Sequence, residues 1–177
     1  MKAKYCSLLA STFLLFGTSF VGNPDSATAT ITTVFNSTAL VNGAVSNSNS
    51  RAFSSYYFIF RVPEQAPKPI EAVTITQKKG ADTVNFTDER VTAYQGNRAN
   101  KKSELKLASV GGASIPGQLT VVFENPIQPG QTVTVAAKAK NPSLGGTYLF
   151  GIDIFPVEQQ ENGKFLGFSH INIFDDD

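Results

Sequence analysis

The stretch Leu119–Phe155 constrains the fold more than any other part of the sequence, because apolar residues recur in it at every second position. Between Gln131 and Ala139 the odd-numbered positions from Val133 onward are apolar, and the even-numbered positions are mostly polar. Such a period of two places one face of a strand on a core and the other face in water. A further alternating segment, Thr147–Phe155, carries enough apolar residues on both faces to indicate a central strand.

The turns around these segments are also informative. Pro129-Gly130 directly precedes Gln131, and proline followed by glycine suits the central positions of a type II turn. The seven-residue connection Lys140–Gly146 is longer than a tight hairpin requires, so segments 131–139 and 147–155 either share a sheet or lie in opposite sheets. Two strands and a loop bury too little apolar surface to offset the entropy of ordering them, so a second sheet must cover their apolar face.

The rest of the chain supplies that second sheet. Tyr56–Val62 is the most aromatic run and is apolar on both faces, which favours a central strand. Pro63–Pro69 holds three prolines and predicts a stiff extended connection. Further strands are expected at Ile31–Phe35, Ala39–Val41, Ile70–Gln77, Val84–Phe86, Val91–Tyr94, Leu105–Ser109, Leu119–Phe123 and Phe165–Phe174, with a turn at Thr87–Arg90 and a polar loop at Gln95–Ser103.

These segments predict an all-β fold, a two-sheet antiparallel sandwich of the immunoglobulin-like kind with eight to ten short strands. A closed barrel is the alternative. The aromatic residues Tyr56–Phe60 could form a platform on which sugar rings stack, but their uninterrupted apolar run favours a place in the core. The cysteines and tryptophan of an antibody-type core are missing from residues 30–177, so the prediction concerns the architecture only.

The first 29 residues have the pattern of a cleaved secretory signal. Lys2 and Lys4 are positive, Ser7–Gly22 is an apolar segment of 16 residues, and Ala27–Ala29 offers small residues for cleavage. A membrane anchor is the alternative, but a spanning helix needs roughly 20 apolar residues. We therefore expect a single domain over residues 30–177, exported to the periplasm or cell surface, with no stable membrane insertion after cleavage.

Cleavage would also remove the only cysteine, Cys6, which excludes disulfides, thiol catalysis and thiolate metal sites in the remaining domain. The whole chain has 15 basic and 14 acidic residues, and loss of Lys2, Lys4 and Asp25 leaves 13 of each. A net side-chain charge of zero gives no electrostatic signature for binding nucleic acid or an anionic membrane.

Patterns of catalytic residues are scarce. His170 is the single histidine, which excludes a histidine-rich metal site, and no nucleophile-elbow sequence accompanies it for a serine triad. Its position in the last strand predicts a surface or edge-strand residue. The isolated carboxylates Glu124, Asp153 and Glu158 have no identifiable partner for glycoside hydrolysis. We therefore expect no catalytic residue, no metal site and no cofactor.

Two acidic segments could bind calcium, because hard cations prefer carboxylate oxygens. Asp82, Asp88 and Glu89 lie in the predicted loop 82–89, and Asp175–Asp177 form an acidic tail. Neither segment has the spacing of an EF-hand loop. An exposed acidic turn and a solvated tail are the favoured interpretations.

Four motifs of turn and core residues carry a family resemblance. They are Tyr-Tyr-Phe-x-Phe-x-Val-Pro at Tyr56–Pro63, Phe-x-x-Pro-Ile-x-Pro-Gly-x-Thr-Val-Thr-Val at Phe123–Val135, Asn-Pro…Gly-Gly-Thr-Tyr-Leu-Phe-Gly-Ile at Asn141–Ile152, and Phe155-Pro156. The sequence resembles, over nearly all of residues 30–177, a family of exported cyanobacterial proteins catalogued as domain of unknown function family 2808. The resemblance implies an exported β fold and that source group, and it transfers no catalytic or binding residue.

Together these features favour an exported, non-enzymatic β-sandwich that serves as a structural or binding module in the periplasm or cell envelope. Its partner would be an envelope protein or polysaccharide, not nucleic acid. One alternative is a weak carboxylate- or metal-dependent hydrolase of envelope glycans, which requires a pocket with two carboxylates. Another is a surface subunit that assembles through a free edge strand.

Overall fold

The computed structural model describes residues 41–112, 115–159 and 163–175, and these segments contain β-strands and no helix. The strands are β1 Val41–Val45, β2 Phe53–Arg61, β3 Ile70–Lys79, β4 Phe86–Gly96, β5 Lys101–Leu105, β6 Leu107–Gly111, β7 Gln118–Ile127, β8 Thr132–Lys140, β9 Gly146–Pro156 and β10 Lys164–Ile173. The predicted signal at residues 1–29 lies outside the described residues, as do Asp176, Asp177 and the strand segments predicted before Val41.

The strands form two five-stranded sheets in which every strand pairing is antiparallel. The front sheet has the order β1-β2-β8-β4-β5, and the back sheet has the order β10-β9-β3-β7-β6. The fold is thus the predicted all-β, immunoglobulin-like sandwich, and no strand of the described segments pairs across the two sheets to close a barrel. β8 and β9 lie in opposite sheets, so Lys140–Gly146 crosses the sandwich instead of closing a hairpin.

The core lies between the two sheets and is centred on aromatic rings. Phe150 of β9 contacts Phe58 of β2, with ring centroids 5.2 Å apart, and Phe86 of β4, at 6.0 Å. Tyr56 packs edge-on against both Phe86 and Phe150. Tilted and edge-to-face rings attract one another beyond the gain from burial. The predicted burial of Phe150, and of Tyr56, Phe58 and Phe60 on β2, is confirmed.

The Pro129-Gly130 turn is confirmed in detail. The backbone N–H of Gln131 donates to the carbonyl oxygen of Gln128 at 3.2 Å, which closes a four-residue turn. Gly130 has a φ of 81°, the left-handed value that the third position of a type II turn requires. The turn passes the chain from β7 in the back sheet to β8 in the front sheet.

The middle of the chain differs from the prediction. Val84–Phe86 and Val91–Tyr94 are not two short strands around a turn, because β4 runs through residues 86–96 as one strand. Asp88–Arg90 bulge out of register with β8. A bulge interrupts the alternation of side chains while the strand continues, so periodicity alone mistakes it for a turn.

Two further boundaries were predicted wrongly. The polar loop expected at Gln95–Ser103 is only a short turn, because β5 begins at Lys101. The strand expected at Leu105–Ser109 is divided, since β5 ends at Leu105 in the front sheet and β6 begins at Leu107 in the back sheet. Both leucines are partly buried against the core. The apolar residues at alternate positions therefore point inward as expected, although they belong to different sheets.

The strand β2 is paired with a neighbouring strand along both edges, but only one of its two faces is buried. It pairs with β1 on one side and with β8 on the other. Tyr57 and Ile59, which the apolar pattern placed in the interior, face outward from the sandwich and are partly exposed. The front sheet therefore presents aromatic and aliphatic side chains to solvent.

Candidate functional site

The outward face of β2, β8 and β4 forms a groove. The strand register sets its side chains in rows: Ile59–Thr134–Tyr94, Tyr57–Ala136–Thr92 and Ser55–Lys138–Thr87. The central strand contributes the small side chain of Ala136 to the lining of this face, while Thr134, whose hydroxyl donates to the carbonyl oxygen of Gly96, is buried. Adjoining cavities of about 540, 610 and 470 Å³ lie along the face, and we call this surface the front-sheet groove.

Tyr57 and Arg98 form the first aromatic contact of the groove. Tyr57 lies between Ala44 of β1 and Ala136 of β8, whose small side chains leave its ring accessible. The Cζ of Arg98 lies 4.5 Å from the centroid of that ring, which is the geometry of a cation–π contact. Arg98 comes from the turn between β4 and β5, so its side chain reaches across β8 to β2.

Tyr94 and Lys101 form a second contact of the same kind. The Nζ of Lys101 lies 4.8 Å from the centroid of the Tyr94 ring. Tyr94 belongs to the outward row of β4, yet it is only 5% exposed. The outward rings of the groove are thus each covered by a basic side chain.

The turn that carries Arg98 is held in place by three contacts. Oδ1 of Asn97 accepts hydrogen bonds from the backbone N–H groups of Ala99 and Asn100, at 3.0 and 2.8 Å. The hydroxyl of Thr134 on β8 donates to the carbonyl oxygen of Gly96 at 2.7 Å. Gly96 has a φ of 97°, and a Cβ there would collide with the carbonyl oxygen of Asn100. Arg98 is therefore presented by a defined turn.

The bulge in β4 supplies the other end of the groove. It carries Arg90, which lines the two cavities that also contain Lys138 of β8 and Ser55 of β2. Glu89, from the same bulge, is the one carboxylate among the residues that line the three cavities. Six basic side chains line them: Arg61, Arg90, Arg98, Lys101, Lys138 and Lys140.

Most of these basic side chains form no ion pair with the residues that the structure describes. Among residues 41–112, 115–159 and 163–175, Arg61 forms an ion pair with Glu64, and Lys68 forms one with Glu158. Within those residues no ion pair involves Arg90, Arg98, Lys101 or Lys138. The groove therefore combines uncompensated positive charge, outward aromatic rings and the hydroxyl groups of Ser55 and Thr92. Such a surface can bind an extended, negatively charged ligand.

Glu89 lines the groove, whereas the histidine and the other described carboxylates considered from the sequence lie elsewhere. His170 is exposed on β10, an edge strand of the back sheet, as predicted. Glu124 is exposed on β7, Asp153 is half-buried on β9, and Glu158 pairs with Lys68, whose ammonium group lowers the pKa of that carboxyl group. None of these carboxylates lines the groove. Among the described residues, no group of three or more His, Cys, Asp or Glu side chains is placed to hold a metal ion.

Two of the calcium candidates instead anchor the connection between β8 and β9. Oδ2 of Asp82 accepts hydrogen bonds from the backbone N–H and the hydroxyl of Ser143, at 3.2 and 3.1 Å. Oδ1 of Asp175 accepts one from the N–H of Gly145 at 2.6 Å. Hydrogen bonds from Thr83 and Ser143 hold the pKa of Asp82 below its ordinary value. Asp88 and Glu89 lie apart from this site, in the β4 bulge.

A tyrosine completes the same end of the sandwich. The hydroxyl of Tyr148 donates to the carbonyl oxygen of Leu144 at 2.6 Å, so the crossing connection is held from three sides. Burial raises the pKa of Tyr148, and the nearby charge of Asp82 raises it further. The acidic residues at this end therefore have structural partners.

Sequence patterns identified neither the groove nor its basic residues. Tyr57 belongs to a run that otherwise packs in the core, and Arg98 and Lys101 belong to a segment without periodicity. The available signal was the pairing of basic and aromatic residues in Tyr94–Lys102, where a tyrosine precedes an arginine and two lysines. Only the strand register shows that this hairpin lies beside Tyr57.

The fold and the groove define an immunoglobulin-like β-sandwich with a basic, aromatic outer sheet. A sequence profile described as "Protein of unknown function (DUF2808)" matches residues 30–173. The chain therefore belongs to the DUF2808 family, as its motifs predicted. No curated protein matched the sequence significantly.

Solved structures of similar fold include surface and pilus proteins. The collagen-binding subdomain of the Enterococcus faecalis surface protein ACE has 8% identity and a TM-score of 0.41, covering 77% of this chain and 98% of that one. An uncharacterised Nocardia farcinica protein with an immunoglobulin-like fold has 16% identity and a TM-score of 0.46, covering 75% and 96%. Domains D2 and D3 of the major pilin SpaD from Corynebacterium diphtheriae have 12% identity and a TM-score of 0.44, covering 73% and 51%. These likenesses concern the fold alone.

The residues that the structure describes contain no helix long and apolar enough to cross a bilayer.

Proposed function

We propose that this chain is an exported, non-enzymatic binding module that holds a negatively charged polymer of the cell envelope in the front-sheet groove. One observation carries the proposal: six basic side chains and one carboxylate line the groove, in a domain whose side chains sum to zero charge. Concentrating positive charge on one concave face attracts an anionic partner while the domain as a whole stays neutral.

Export is supported by the sequence at the start of the chain. Positive residues, an apolar segment and small residues follow one another in residues 1–29, in the order of a secretory signal. The family profile begins to match at residue 30, directly after the expected cleavage position. A binding module cleaved there would meet envelope polymers.

Hydrolysis of envelope glycans has less support. Glycoside hydrolysis by paired carboxylates needs two such groups about 5 to 10 Å apart on either side of the bond. Glu89 is the one carboxylate that lines the groove. Among the described residues, the groove therefore offers a single carboxylate without a second one to act with it, and we propose that its role is binding.

Assembly through an edge strand also has less support. The edge strand β5 carries Lys101, Lys102 and Glu104 in five residues, and charged edges discourage pairing with another chain. On the opposite side of the sandwich, the edge strands β1 and β10 pack against each other. Size-exclusion chromatography should therefore show a monomer.

Reversal of groove charge tests the proposal. In the variant Arg90→Glu/Lys138→Glu, two basic groups of the groove become acidic. We expect the purified protein to co-sediment with cell-envelope fragments, and this variant to bind at least about tenfold more weakly. Binding by the unchanged protein should also weaken between 0.15 M and 1 M salt, because the screening length falls from about 8 to about 3 Å.

The matched control is Lys78→Glu/Lys79→Glu. Both lysines are exposed on β3 of the back sheet, so the net charge changes equally without altering the groove. The control should bind within about twofold of the unchanged protein. Equal loss in both variants, or no loss in the groove variant, would show that the groove is not the binding surface.

A further inference from the structure

The contacts within the groove also indicate the chemical class of its ligand, an inference that rests on the proposed function. Arg98 starts from the turn after β4 and ends over Tyr57 on β2, so it crosses the central strand β8. It lines both the 540 Å³ and the 470 Å³ cavities and stands between them. Because Arg98 lies over the ring of Tyr57, movement of this one side chain would uncover that aromatic face.

An anionic ligand can displace Arg98 from Tyr57. A cation over an exposed ring is held weakly. A guanidinium group that meets a carboxylate forms two parallel, charge-assisted hydrogen bonds, which are stronger. An acidic group in the groove would therefore draw Arg98 off the ring.

The surface uncovered by this exchange has two parts, a flat aromatic face and an adjacent basic group. The face of an aromatic ring is negative, and it attracts the partly positive C–H groups on the flat side of a pyranose ring. A ligand that uses both parts carries an acidic group on a ring with an apolar face. We infer that the ligand is an acidic polysaccharide whose sugar ring stacks on Tyr57 while its carboxylate pairs with Arg98.

Acidic protein segments fit the groove less well. An extended peptide gains most of its affinity by adding a strand to an open sheet edge. The floor of the groove is β8, which is paired along both sides, to β2 and to β4. No edge is open there, so a peptide would be held by side chains alone.

Single-stranded nucleic acid also combines rings with negative charge. Proteins that bind it, however, usually carry excess positive charge over the whole domain. Residues 30–177 have equal numbers of basic and acidic side chains. The observations therefore favour an acidic polysaccharide.

The experiment compares four polymers and two variants of the purified protein. The polymers are polygalacturonate, neutral dextran, inorganic polyphosphate and polyglutamate, with an oligothymidylate as a fifth probe. Tyr57→Ala removes the ring and Tyr57→Phe keeps it. Tyr57 is partly exposed, so both variants should fold, which thermal unfolding would confirm.

We expect polygalacturonate to bind at least about tenfold more tightly than each of the other polymers. Tyr57→Ala should lose about tenfold in affinity for polygalacturonate, and Tyr57→Phe should stay within about twofold. Affinity for polyphosphate should be unchanged in both variants, because that polymer has no ring to stack.

Three results would overturn the inference. The first is that polyphosphate, polyglutamate or oligothymidylate binds as tightly as polygalacturonate. The second is that Tyr57→Ala and the unchanged protein have equal affinity for polygalacturonate, and the third is that polygalacturonate does not bind at all. Each of these leaves the proposed function standing if Arg90→Glu/Lys138→Glu still loses binding to envelope fragments. Failure of that charge-reversal test would instead overturn both.

Discussion

The hydroxyl of Tyr56 donates a hydrogen bond of 2.9 Å to Oδ1 of Asn141, across 85 positions of sequence. Nδ2 of Asn141 donates in turn to the carbonyl oxygens of Asn47 and Asn49, at 2.9 and 2.7 Å. Asn141 is 3% exposed, and Tyr56 is fully buried. The motifs that begin at Tyr56 and at Asn141 therefore meet at the end of the core, where these two buried polar side chains are hydrogen-bonded to each other.

Replacing Asn141 should strongly destabilise the fold. Asn141→Ala leaves the Tyr56 hydroxyl and the carbonyl oxygen of Asn49 without this partner, while the carbonyl oxygen of Asn47 keeps the hydroxyl of Ser54 as a donor. A buried polar group without a partner costs about 1 to 3 kcal/mol. We expect a loss of about 2 to 4 kcal/mol in the free energy of unfolding, measured by urea denaturation. Tyr56→Phe, which breaks one of these bonds, should cost less, and equal costs would contradict the shared network.

The centre of the aromatic core is tested by Phe150→Ala. Its ring contacts Phe58 and Phe86 and is fully buried, so truncation should cost about 3 to 5 kcal/mol of unfolding free energy. Phe168→Ala on β10 is the control, since Phe168 is 45% exposed and should lose less than about 1 kcal/mol. A loss near zero at Phe150 would mean that β9 buries its other face.

The Asp82 anchor predicts a pH dependence of the β8–β9 connection. The folded pKa of Asp82 lies below its ordinary value of 3.8. The anchor should therefore be complete above pH 3.8 and be lost as the pH falls through the lower folded pKa. The amide resonance of Ser143 should shift in that acidic range, and Asp82→Asn should abolish the shift. A transition centred above pH 3.8 would contradict the hydrogen-bonded carboxylate.

Export predicts a specific start of the protein. Mass spectrometry of the protein recovered from the periplasm or the cell surface should find an N terminus near Thr30. Recovery there with residues 1–29 intact would contradict cleavage. The same measurement on whole cells would show whether uncleaved precursor accumulates.

The architecture could be predicted because it depends on local chemistry. Alternating apolar residues in β8 and β9 and the Pro129-Gly130 turn each specify their own conformation, and the length of Lys140–Gly146 permitted the crossing between sheets. The burial of Tyr56, Phe58 and Phe60 was expected from an uninterrupted apolar run, which did not indicate that Tyr57 and Ile59 face outward. These features need no knowledge of distant residues.

The groove could not be predicted because it depends on the register between strands and on a bulge that interrupts one of them. The bulge at Asp88–Arg90 broke the alternation and made β4 look like two strands. Arg98 meets Tyr57 only because β8 separates β4 from β2 in the sheet. Likewise Asp82, expected in an exposed acidic turn, meets Ser143 across 61 positions, a contact that no local pattern indicates.

The most direct test of the groove is a nuclear magnetic resonance titration of the labelled protein with tetragalacturonate. Amide shifts should concentrate at Tyr57, Thr92, Arg98 and Ala136 of the front-sheet groove. Resonances near the exposed Phe165–Phe168 pair of the back sheet should remain unchanged. Shifts confined to that pair, or no shifts in the front-sheet groove at saturating ligand, would show that the groove does not bind the acidic polysaccharide.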